Sequence, residues 1–402
     1  MSAHFVSERR LGKRFVLSLA LAFFGSGMLD VLASLFLVDI AKTFLGDSSL
    51  LSIAVVSQIV TLSSIAAVSF GLLNGFLSVK VDHKKLLLVG ILLIIVGTVG
   101  CLLAPSLLYM GIFYPLDGAG TIIVSSMAFT LIGESLPLDR RAKSIGIVTA
   151  GGIFSSAIGF AVAGYIAVVG GWRSYLLWYV LPISLIALGL VYLSVPPEKR
   201  SEETIAEGAT FLSAFKEVLI NKSAAACLVG YTFMGIAAMW AFFAATFWIN
   251  QFHIAIEYVG IISLTTIVAH AVGTLVGGRV VDTLGRKPVA ITSWAARGLL
   301  VASIAFMPDF WSAFVITCVF MLVGGIGVTS GHCLNLEQVR KFRGTMMSLS
   351  QVFAYAGASL GAAIGGLILG VYGFLFLGMV FGLMNVFAAS VVFFFAKDPS
   401  KS

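Results

Sequence analysis

Charged residues are scarce in this chain. They make up 11% of its 402 residues, whereas soluble proteins carry about a quarter. Hydrophobic residues, in contrast, make up 59%. A soluble protein of this length could not bury so much apolar surface, so the composition predicts an integral membrane protein.

Other features are missing, and each absence argues against a class of function. The phosphate-binding pattern G-x-x-x-x-G-K-[ST] does not occur, which argues against an ATP-driven pump. No metal-ligand spacing is found, and all four cysteines lie in or beside apolar runs, where we expect free thiols. No set of catalytic groups gathers in the loops, so we expect neither an enzyme nor a cofactor or metal site.

Twelve apolar segments are each long enough to cross about 30 Å of hydrocarbon as a helix. Most connectors are short, but a polar segment separates the first six from the last six. The sequence therefore predicts an all-α membrane protein with six-helix halves at 1–195 and 223–402, joined by a cytosolic linker at 196–222. The predicted spans are 15–38, 50–78, 86–104, 107–131, 144–168, 174–195, 224–249, 257–281, 288–307, 310–333, 345–370 and 373–396.

The basic residues indicate the orientation of these spans. When the N-terminus is placed in the cytosol, all but three of the 25 lysines and arginines lie on the cytosolic side. The exceptions are Lys42, Arg173 and Arg297. Such asymmetry predicts cytosolic N- and C-termini, and it explains the net charge of +7 without a nucleic-acid partner.

The two halves are related by an internal repeat. Three pairs of identical residues are each separated by 203 positions: Gly75 and Gly278, Glu134 and Glu337, and Arg140 and Arg343. Two related halves in parallel are a known plan for transporters, with the substrate site between them near the membrane midplane.

A short charged segment, Gly278–Pro288 (the switch segment), lies between two long apolar runs and reads G-R-V-V-D-T-L-G-R-K-P. Gly278 would allow two helices to approach closely, and Gly285 could adopt a positive φ. Asp282 could accept hydrogen bonds from the N–H groups of the next helix or pair with Arg286. The segment thus predicts a tight cytosolic turn.

The switch segment closely resembles the loop signature of the major facilitator superfamily of transporters, and the resemblance extends over essentially the whole chain. It implies a twelve-helix protein in which Gly278, Asp282, Gly285, Arg286 and Lys287 belong to a conformational-switch loop. The segments 134–146 and 170–173 also resemble family motifs. The motifs are nearest to those of drug/proton antiporters, but they are degraded at Val79, Asp82, Tyr114 and Phe160.

Two acidic residues lie well inside apolar segments, where a charge costs about 2.5–3.5 kcal/mol on insertion scales. Asp30 and Asp117 fall at similar depths from the outer ends of the first and fourth segments. The family resemblance adds that these two helices line the central cavity. We predict that both carboxyl groups exchange protons or bind a cation, the alternative being hydrogen-bonded structural groups.

Several other residues are candidates for weaker roles. Arg297 is expected to have a packing or lipid-facing role rather than one in coupling, because the resemblance puts its helix at the periphery. Candidates for the wall of the substrate cavity are Tyr114, Gln58, Tyr231, Trp240, Gln351 and Tyr355. Ordinary helix packing is the alternative for the aromatic members of that set.

These observations together predict a multi-pass secondary transporter of the cytoplasmic membrane that works by alternating access. The favoured activity is proton-coupled efflux of small lipophilic or cationic compounds by a monomer. Uptake of a small metabolite by symport or uniport is the alternative, and a non-transporting receptor is disfavoured because the terminal tails are short.

Overall fold

A computed structural model describes residues 2–136, 138–196, 215–339 and 343–398. Every regular element within those ranges is helical, which confirms the predicted all-α fold. Most of the predicted linker at 196–222 lies outside the described residues, so its boundaries stay a prediction.

The helices follow the apolar segments closely. They are α1 (Ser2–Ser26), α2 (Met28–Leu35), α3 (Leu37–Leu45), α4 (Leu50–Lys80), α5 (His83–Leu102), α6 (Leu107–Ser135), α7 (Leu138–Tyr175), a π-helical turn (Leu176–Val180), α8 (Leu181–Ser194), α9 (Lys222–Phe252), α10 (Ile256–Leu284), α11 (Arg286–Ile304), α12 (Phe310–Gln338) and α13 (Arg343–Phe395). The first apolar segment is thus three helices rather than one.

Among the described residues, nine helical stretches are long and apolar enough to cross a membrane. Two of them, of 48 and 51 residues, have the length of two crossings each. Both contain a glycine in the left-handed region, Gly171 (φ 68°) and Gly373 (φ 74°), where the chain turns between two spans. The more polar α11 supplies the remaining crossing, so the predicted twelve spans are accommodated.

The chain forms two compact units. Unit 1 comprises Met1–Phe36 and Leu62–Ala206, and unit 2 comprises Leu37–Thr61 and Glu207–Ser402. Within unit 1, α5 packs along α6 and α1 packs along α7; within unit 2, α9 packs along α13 and α10 along α12.

Glycines allow the closest of these helix contacts. A methyl group built on Gly118 of α6 would collide with the carbonyl oxygen of Ser63 in α4. A methyl group on Gly97 of α5 would lie 3.1 Å from the carbonyl oxygen of Phe113 in α6. These contacts bring α4 and α5 of unit 1 directly against the part of α6 that carries Asp117.

Candidate functional site

The first membrane segment is interrupted at Gly27, between α1 and α2. Gly27 has φ −90° and ψ 0°, and it has no side chain with which to cap the next helix. Carbonyl groups near an interruption lose partners within the helix, and in a membrane they need other donors. The interruption is therefore stable only because other helices supply those donors.

Three side-chain hydroxyl groups supply them. Thr121 Oγ1 donates to the carbonyl of Ser26 at 2.9 Å, and Tyr114 Oη donates to that of Leu29 at 3.1 Å. The third donor is the Oη of Tyr175, which lies 3.1 Å from the carbonyl oxygen of Met28. Two segments of unit 1 that are distant in sequence, α6 and the end of α7, thus hold the junction between α1 and α2 in place.

Asp30 lies in that first turn of α2. Its side chain is exposed, while the flanking residues Leu29 and Val31 are buried. An ionisable residue inside a membrane segment that remains exposed borders a space that water can reach. Its position near the N-terminal end of α2 also favours a negative charge.

Asp117 of α6 is buried, with 2% of its surface exposed. Its Oδ1 atom has no hydrogen-bond partner among the described residues. Asp117 follows Tyr114 by three residues on α6, and the hydroxyl group of Tyr114 contacts the carbonyl of Leu29, the residue before Asp30. The two carboxyl groups therefore belong to the same region of unit 1. An ionised carboxylate left in this state is costly, so binding of a proton or a cation would relieve it.

The helix that carries Asp117 is itself irregular. Pro115 lies inside α6, two residues before Asp117, and removes one backbone hydrogen bond. A second irregularity lies at the end of α7, where Tyr175 directly precedes the π-helical turn Leu176–Val180. Such turns are frequent at functional sites. Tyr179 within this turn has a buried hydroxyl group with no partner among the described residues, and its ring lies 5.4 Å from that of Tyr175.

Sequence reasoning missed Thr121, Tyr175 and Tyr179. Their partners are distant in the chain, for example 147 residues in the case of Tyr175 and Met28. The one local signal was Pro115, which is unusual inside a helix. The helix-break cluster, as we call it, consists of Asp30, Tyr114, Asp117, Thr121 and Tyr175. The sequence had already made Asp30, Tyr114 and Asp117 candidates, but their association with Thr121 and Tyr175 emerges only from the structure.

The predicted cavity-wall residues have varied positions. Tyr114 is fully buried and acts as the donor described above. Gln58 of α4 is satisfied within its own helix, since Nε2 donates to Ala54 and Oε1 accepts from Thr61, each at 3.2 Å. In α13, Gln351 is exposed and Tyr355 is half-buried.

Two aromatic candidates lie on α9 in unit 2. Trp240 is only 1% exposed and packs 5.5 Å from Phe247, ring to ring. Tyr231 is also buried, stacks on His332 at 5.9 Å, and has a hydroxyl group without a partner among the described residues. Both rings are therefore packed residues in this conformation.

The switch segment forms a turn, as predicted, but two of its expected contacts are wrong. Gly285 has φ 90°, as expected. A methyl group on Gly278 would meet no atom within 4 Å, so this glycine marks no close helix approach. Asp282 is exposed, and Arg286 instead pairs with Glu337, with Nη1 and Oε1 3.1 Å apart. This ion pair joins the cytosolic start of α11, which carries Arg286, to the cytosolic end of α12, which carries Glu337.

Lys287 contributes a second tie at the same turn. Its backbone N–H donates to Asp398 Oδ2 at 3.3 Å, which is the contact that had been expected from Asp282. Its Nζ atom donates to the carbonyls of Phe393 and Ala396 at 2.9 and 2.6 Å. The start of α11 is thereby fastened to the end of α13.

Arg297 has a packing role, which is one of the two roles expected for it, and it does not face lipid. Only 7% of its surface is exposed, and it lies on the buried face of α11 with Trp294 and Val301. Its guanidinium group lies over the ring of Phe320, 4.9 Å from the centroid.

Comparison with known proteins agrees with this architecture. A family model described as the Major Facilitator Superfamily matches residues 15–254 and 225–402. The chain belongs to the major facilitator superfamily. It is therefore a multi-pass membrane transporter with an alternating-access fold, and its substrate is a small molecule.

One relative and several solved structures resemble the chain, and their names agree on no single substrate. The uncharacterized MFS-type transporter YceJ of Bacillus subtilis (strain 168) is 25% identical over 306 residues, which cover 74% of this chain and 75% of YceJ. A D-xylose–proton symporter has a TM-score of 0.80 at 16% identity and covers 97% of this chain and 99% of its own. The nucleoside transporter NupG has a TM-score of 0.71 at 15% identity, covering 96% and 98%.

Proposed function

We propose that this transporter exports small lipophilic cations in exchange for protons, and that Asp30 and Asp117 bind the proton and the cation in turn. The observation that carries the proposal is the pairing of an exposed carboxyl group with a buried one that has an unpartnered oxygen. Neither forms an ion pair with a described residue. The site therefore carries excess negative charge that a cation can neutralise.

Exchange follows from competition for this charge. Two neighbouring carboxylates in a poorly solvated site repel each other, so a proton or an organic cation stabilises them. A proton bound to one carboxylate removes half of the negative charge and so weakens the attraction for the cation. The proton gradient could drive the exchange, because one charge crossing 100 mV is worth about 2.3 kcal/mol. We further propose a monomer in the cytoplasmic membrane of a prokaryote.

Proton symport of a small metabolite is the second candidate. It is favoured by the likeness of the fold to a D-xylose–proton symporter and by the exposed Asp30 carboxyl group, which can also accept hydrogen bonds from hydroxyl groups. In that case the proton and the substrate would move in the same direction.

The test is proton movement in liposomes that contain purified protein and a pH-sensitive dye. Lipophilic cations and small metabolites would be screened with the wild type, Asp30→Asn and Asp117→Asn. Exchange predicts proton flux opposite to the flux of the compound, and symport predicts flux in the same direction. Either substitution should abolish the proton flux.

Asp47→Asn provides a matched control. Asp47 lies between α3 and α4, where hydrogen bonds from Ser52 and Ser49 hold the pKa of its carboxyl group below the usual value. It cannot exchange protons near neutral pH, so this variant should behave as the wild type. If a compound crosses without proton movement and all three variants behave as the wild type, both proposals are wrong and the protein is a uniporter.

A further inference from the structure

An apolar groove lies between the first turns of α10 and α12 in unit 2. Because the termini of the chain are cytosolic, both helices begin at the outer side of the membrane. The groove has a volume of about 550 Å³, which is within the range of about 300–1,000 Å³ for ligand sites. Its lining includes mainly apolar and aromatic side chains: His253, Tyr258, Ile261, Thr265, Trp311 and Phe314.

The groove has the depth of one lipid leaflet. Helix α10 begins at Ile256, and Thr265 at the deep end of the groove follows nine residues later, about 14 Å at a rise of about 1.5 Å per residue. The hydrocarbon core is about 30 Å thick, so half of it is about 15 Å. The groove therefore runs from the outer boundary nearly to the midplane.

The groove opens towards lipid. Tyr258, Ile261 and Trp311 in its lining are each more than half exposed. The same exposed faces continue below the groove at helical spacing, with Val268, Val272 and Leu275 on α10 and Val315 and Val319 on α12. Polar side chains inside a membrane face water or the protein interior, whereas these faces are apolar. A molecule in the groove would therefore enter it from the bilayer.

The walls of the groove are already packed. The ring of Phe310 lies 5.1 Å from that of Trp311 and stacks on that of Phe314 at 5.8 Å. Behind this wall, Phe310 also contacts the ring of Trp248 in α9 at 5.7 Å. Such ring contacts fix the wall, so the groove can take an acyl chain without a rearrangement.

The outer end of the groove carries negative charge. The chain segments that lie there, 249–258 and 304–312, contain no lysine or arginine but two acidic residues, Glu257 and Asp309, both exposed. Asp309 directly precedes the aromatic wall, and Ser312 holds its carboxylate in place through the backbone N–H at 3.0 Å and the hydroxyl group at 2.9 Å. His253, in the lining, can donate a hydrogen bond. This charge favours a cationic group over an anionic one.

We propose that a phospholipid with an amine headgroup binds in this groove from the outer leaflet. One acyl chain lies between α10 and α12, the ammonium group faces Glu257 and Asp309, and His253 donates to the phosphate group. The site lies within unit 2 and uses neither Asp30 nor Asp117, so it is independent of the proposed exchange of protons and cations.

The test is the thermal unfolding of delipidated protein in detergent, with phosphatidylethanolamine or phosphatidylglycerol of identical acyl chains added in increasing amounts. Phosphatidylethanolamine should raise the melting temperature by a few degrees more than phosphatidylglycerol, in a saturable manner, because a ligand that binds only the folded state stabilises it. Native mass spectrometry of protein mixed with equal amounts of both lipids should show preferential retention of phosphatidylethanolamine.

Two pairs of variants locate the effect. Ile261→Trp fills the groove from an exposed position and should abolish the difference between the lipids, whereas Leu275→Trp, on the same helix but outside the groove, should preserve it. Glu257→Gln combined with Asp309→Asn removes the charge of the outer end and should also abolish the difference. Asp47→Asn removes an outer charge elsewhere in unit 2 and should preserve it.

Three results would overturn the proposal. The first is an equal effect of the two lipids on the wild type. The second is a difference that persists in Ile261→Trp or in the double variant. The third concerns tetraphenylphosphonium as a lipophilic cation without a lipid headgroup: a saturable stabilisation by this compound that Ile261→Trp alone abolishes would make the groove a site for such cations instead.

Discussion

The two units carry buried charge of opposite sign at related places in the repeat. In unit 1 the charged residue is Asp117 of α6, and the residue 203 positions later is Phe320 of α12. In unit 2 Arg297 of α11 lies over Phe320, and the residue 203 positions before Arg297 is Ile94 of α5. In the repeat, α6 corresponds to α12 and α5 corresponds to α11. The buried charge lies on α6 in unit 1 but on α11 in unit 2.

The helices that begin the two sequence repeats differ as well. The first repeat begins with the interrupted helices α1 and α2, whereas α9, which begins the second repeat, runs without interruption over 31 residues. Asp30 corresponds to Phe233, 203 positions later. The hydroxyl donors of unit 1 explain the difference.

These donors have no equivalents in unit 2. The residues 203 positions after Tyr114 and Thr121 are Thr317 and Gly324. Thr317 donates to Ala313 within its own helix, and Gly324 has no side chain. Leu377, which follows the turn at Gly373 as Tyr175 follows the turn at Gly171, cannot donate either. A broken helix therefore needs external donors, and only unit 1 provides them.

The largest expected effect comes from removal of the Asp30 charge. Asp30→Asn gives the position a neutral side chain, as in unit 2, and should abolish the response of transport to a proton gradient. Without one coupled proton, transport loses a driving force of about 2.3 kcal/mol per 100 mV. This energy corresponds to about a 50-fold smaller concentration ratio of the transported compound across the membrane. The measurement is steady-state accumulation in liposomes at an imposed potential. Unchanged accumulation would show that Asp30 does not couple transport to protons, and the two units would then not differ in this function.

The hydroxyl group of Tyr114 should contribute to stability, while that of Tyr231 should not. Tyr114→Phe removes a donor to the interrupted helix and should cost about 0.5–1.5 kcal/mol. Tyr231→Phe is the matched control, because its hydroxyl group is buried without a partner among the described residues. Thermal unfolding of both variants measures the difference. Equal effects would mean that the interruption does not depend on this donor.

The ion pair at the switch segment should have a smaller effect. Glu337→Gln removes the partner of Arg286, whose side chain is 31% exposed, and should cost at most about 1 kcal/mol. The residue 203 positions before Arg286 is His83, which contacts the carbonyl oxygen of Ser78 at 3.0 Å instead. Asp282→Asn is the control and should leave the melting temperature unchanged. A larger fall in melting temperature for Asp282→Asn than for Glu337→Gln would instead support the pair of Asp282 and Arg286 that the sequence suggested.

The smallest effect concerns two helix caps that correspond in the repeat. Ser106 caps α6 through Tyr109 N at 3.2 Å, and Asp309 caps α12 through Ser312 N at 3.0 Å. Hydrogen bonds from the backbone and the side chain of Ser312 hold the pKa of Asp309 below its usual value of 3.8. Because that pKa is lowered in the folded state, its stabilisation is present above pH 3.8 and lost as the pH falls further.

Melting curves at several pH values would measure this effect. Asp309→Ala should lower the melting temperature slightly at neutral pH, and the difference from wild type should shrink below pH 3.8. Ser106→Ala should give a difference that does not change with pH. A constant difference for Asp309→Ala would show that the charge of this cap is unimportant.

Most of the fold could be predicted from sequence because the determining forces are local. A run of apolar residues forms a helix in hydrocarbon whatever its neighbours are, so the twelve spans and the turns at Gly171 and Gly373 correspond to the predicted segments. Helical rise alone predicted similar depths for Asp30 and Asp117, and the hydrogen bond from Tyr114 to the carbonyl of Leu29 links the helical turns that carry them.

The interruption of the first helix could not be predicted in this way. Its cause is the set of hydroxyl groups that lie 85, 95 and 147 residues from the carbonyls they contact. Hydropathy takes no account of such pairings. The sequence left a packing role and a lipid-facing role open for Arg297, because a peripheral helix presents one face to its own unit and another to lipid.

The switch segment shows how a correct turn can be given incorrect contacts. Gly285 adopts the expected positive φ because backbone sterics are local. The partner of Arg286 is Glu337, 51 positions later, rather than the nearby Asp282. Several carboxyl groups compete for one arginine, and tertiary packing determines which of them is in reach.

Proton release on substrate binding tests the central claim most directly, namely that the helix-break cluster is the coupling site. Purified protein in weakly buffered detergent would be mixed with a compound that the liposome screen shows to be transported. Exchange predicts that the wild type and Asp47→Asn release protons on binding, while Asp30→Asn and Asp117→Asn release none. Undiminished release from both of these last variants would contradict the claim.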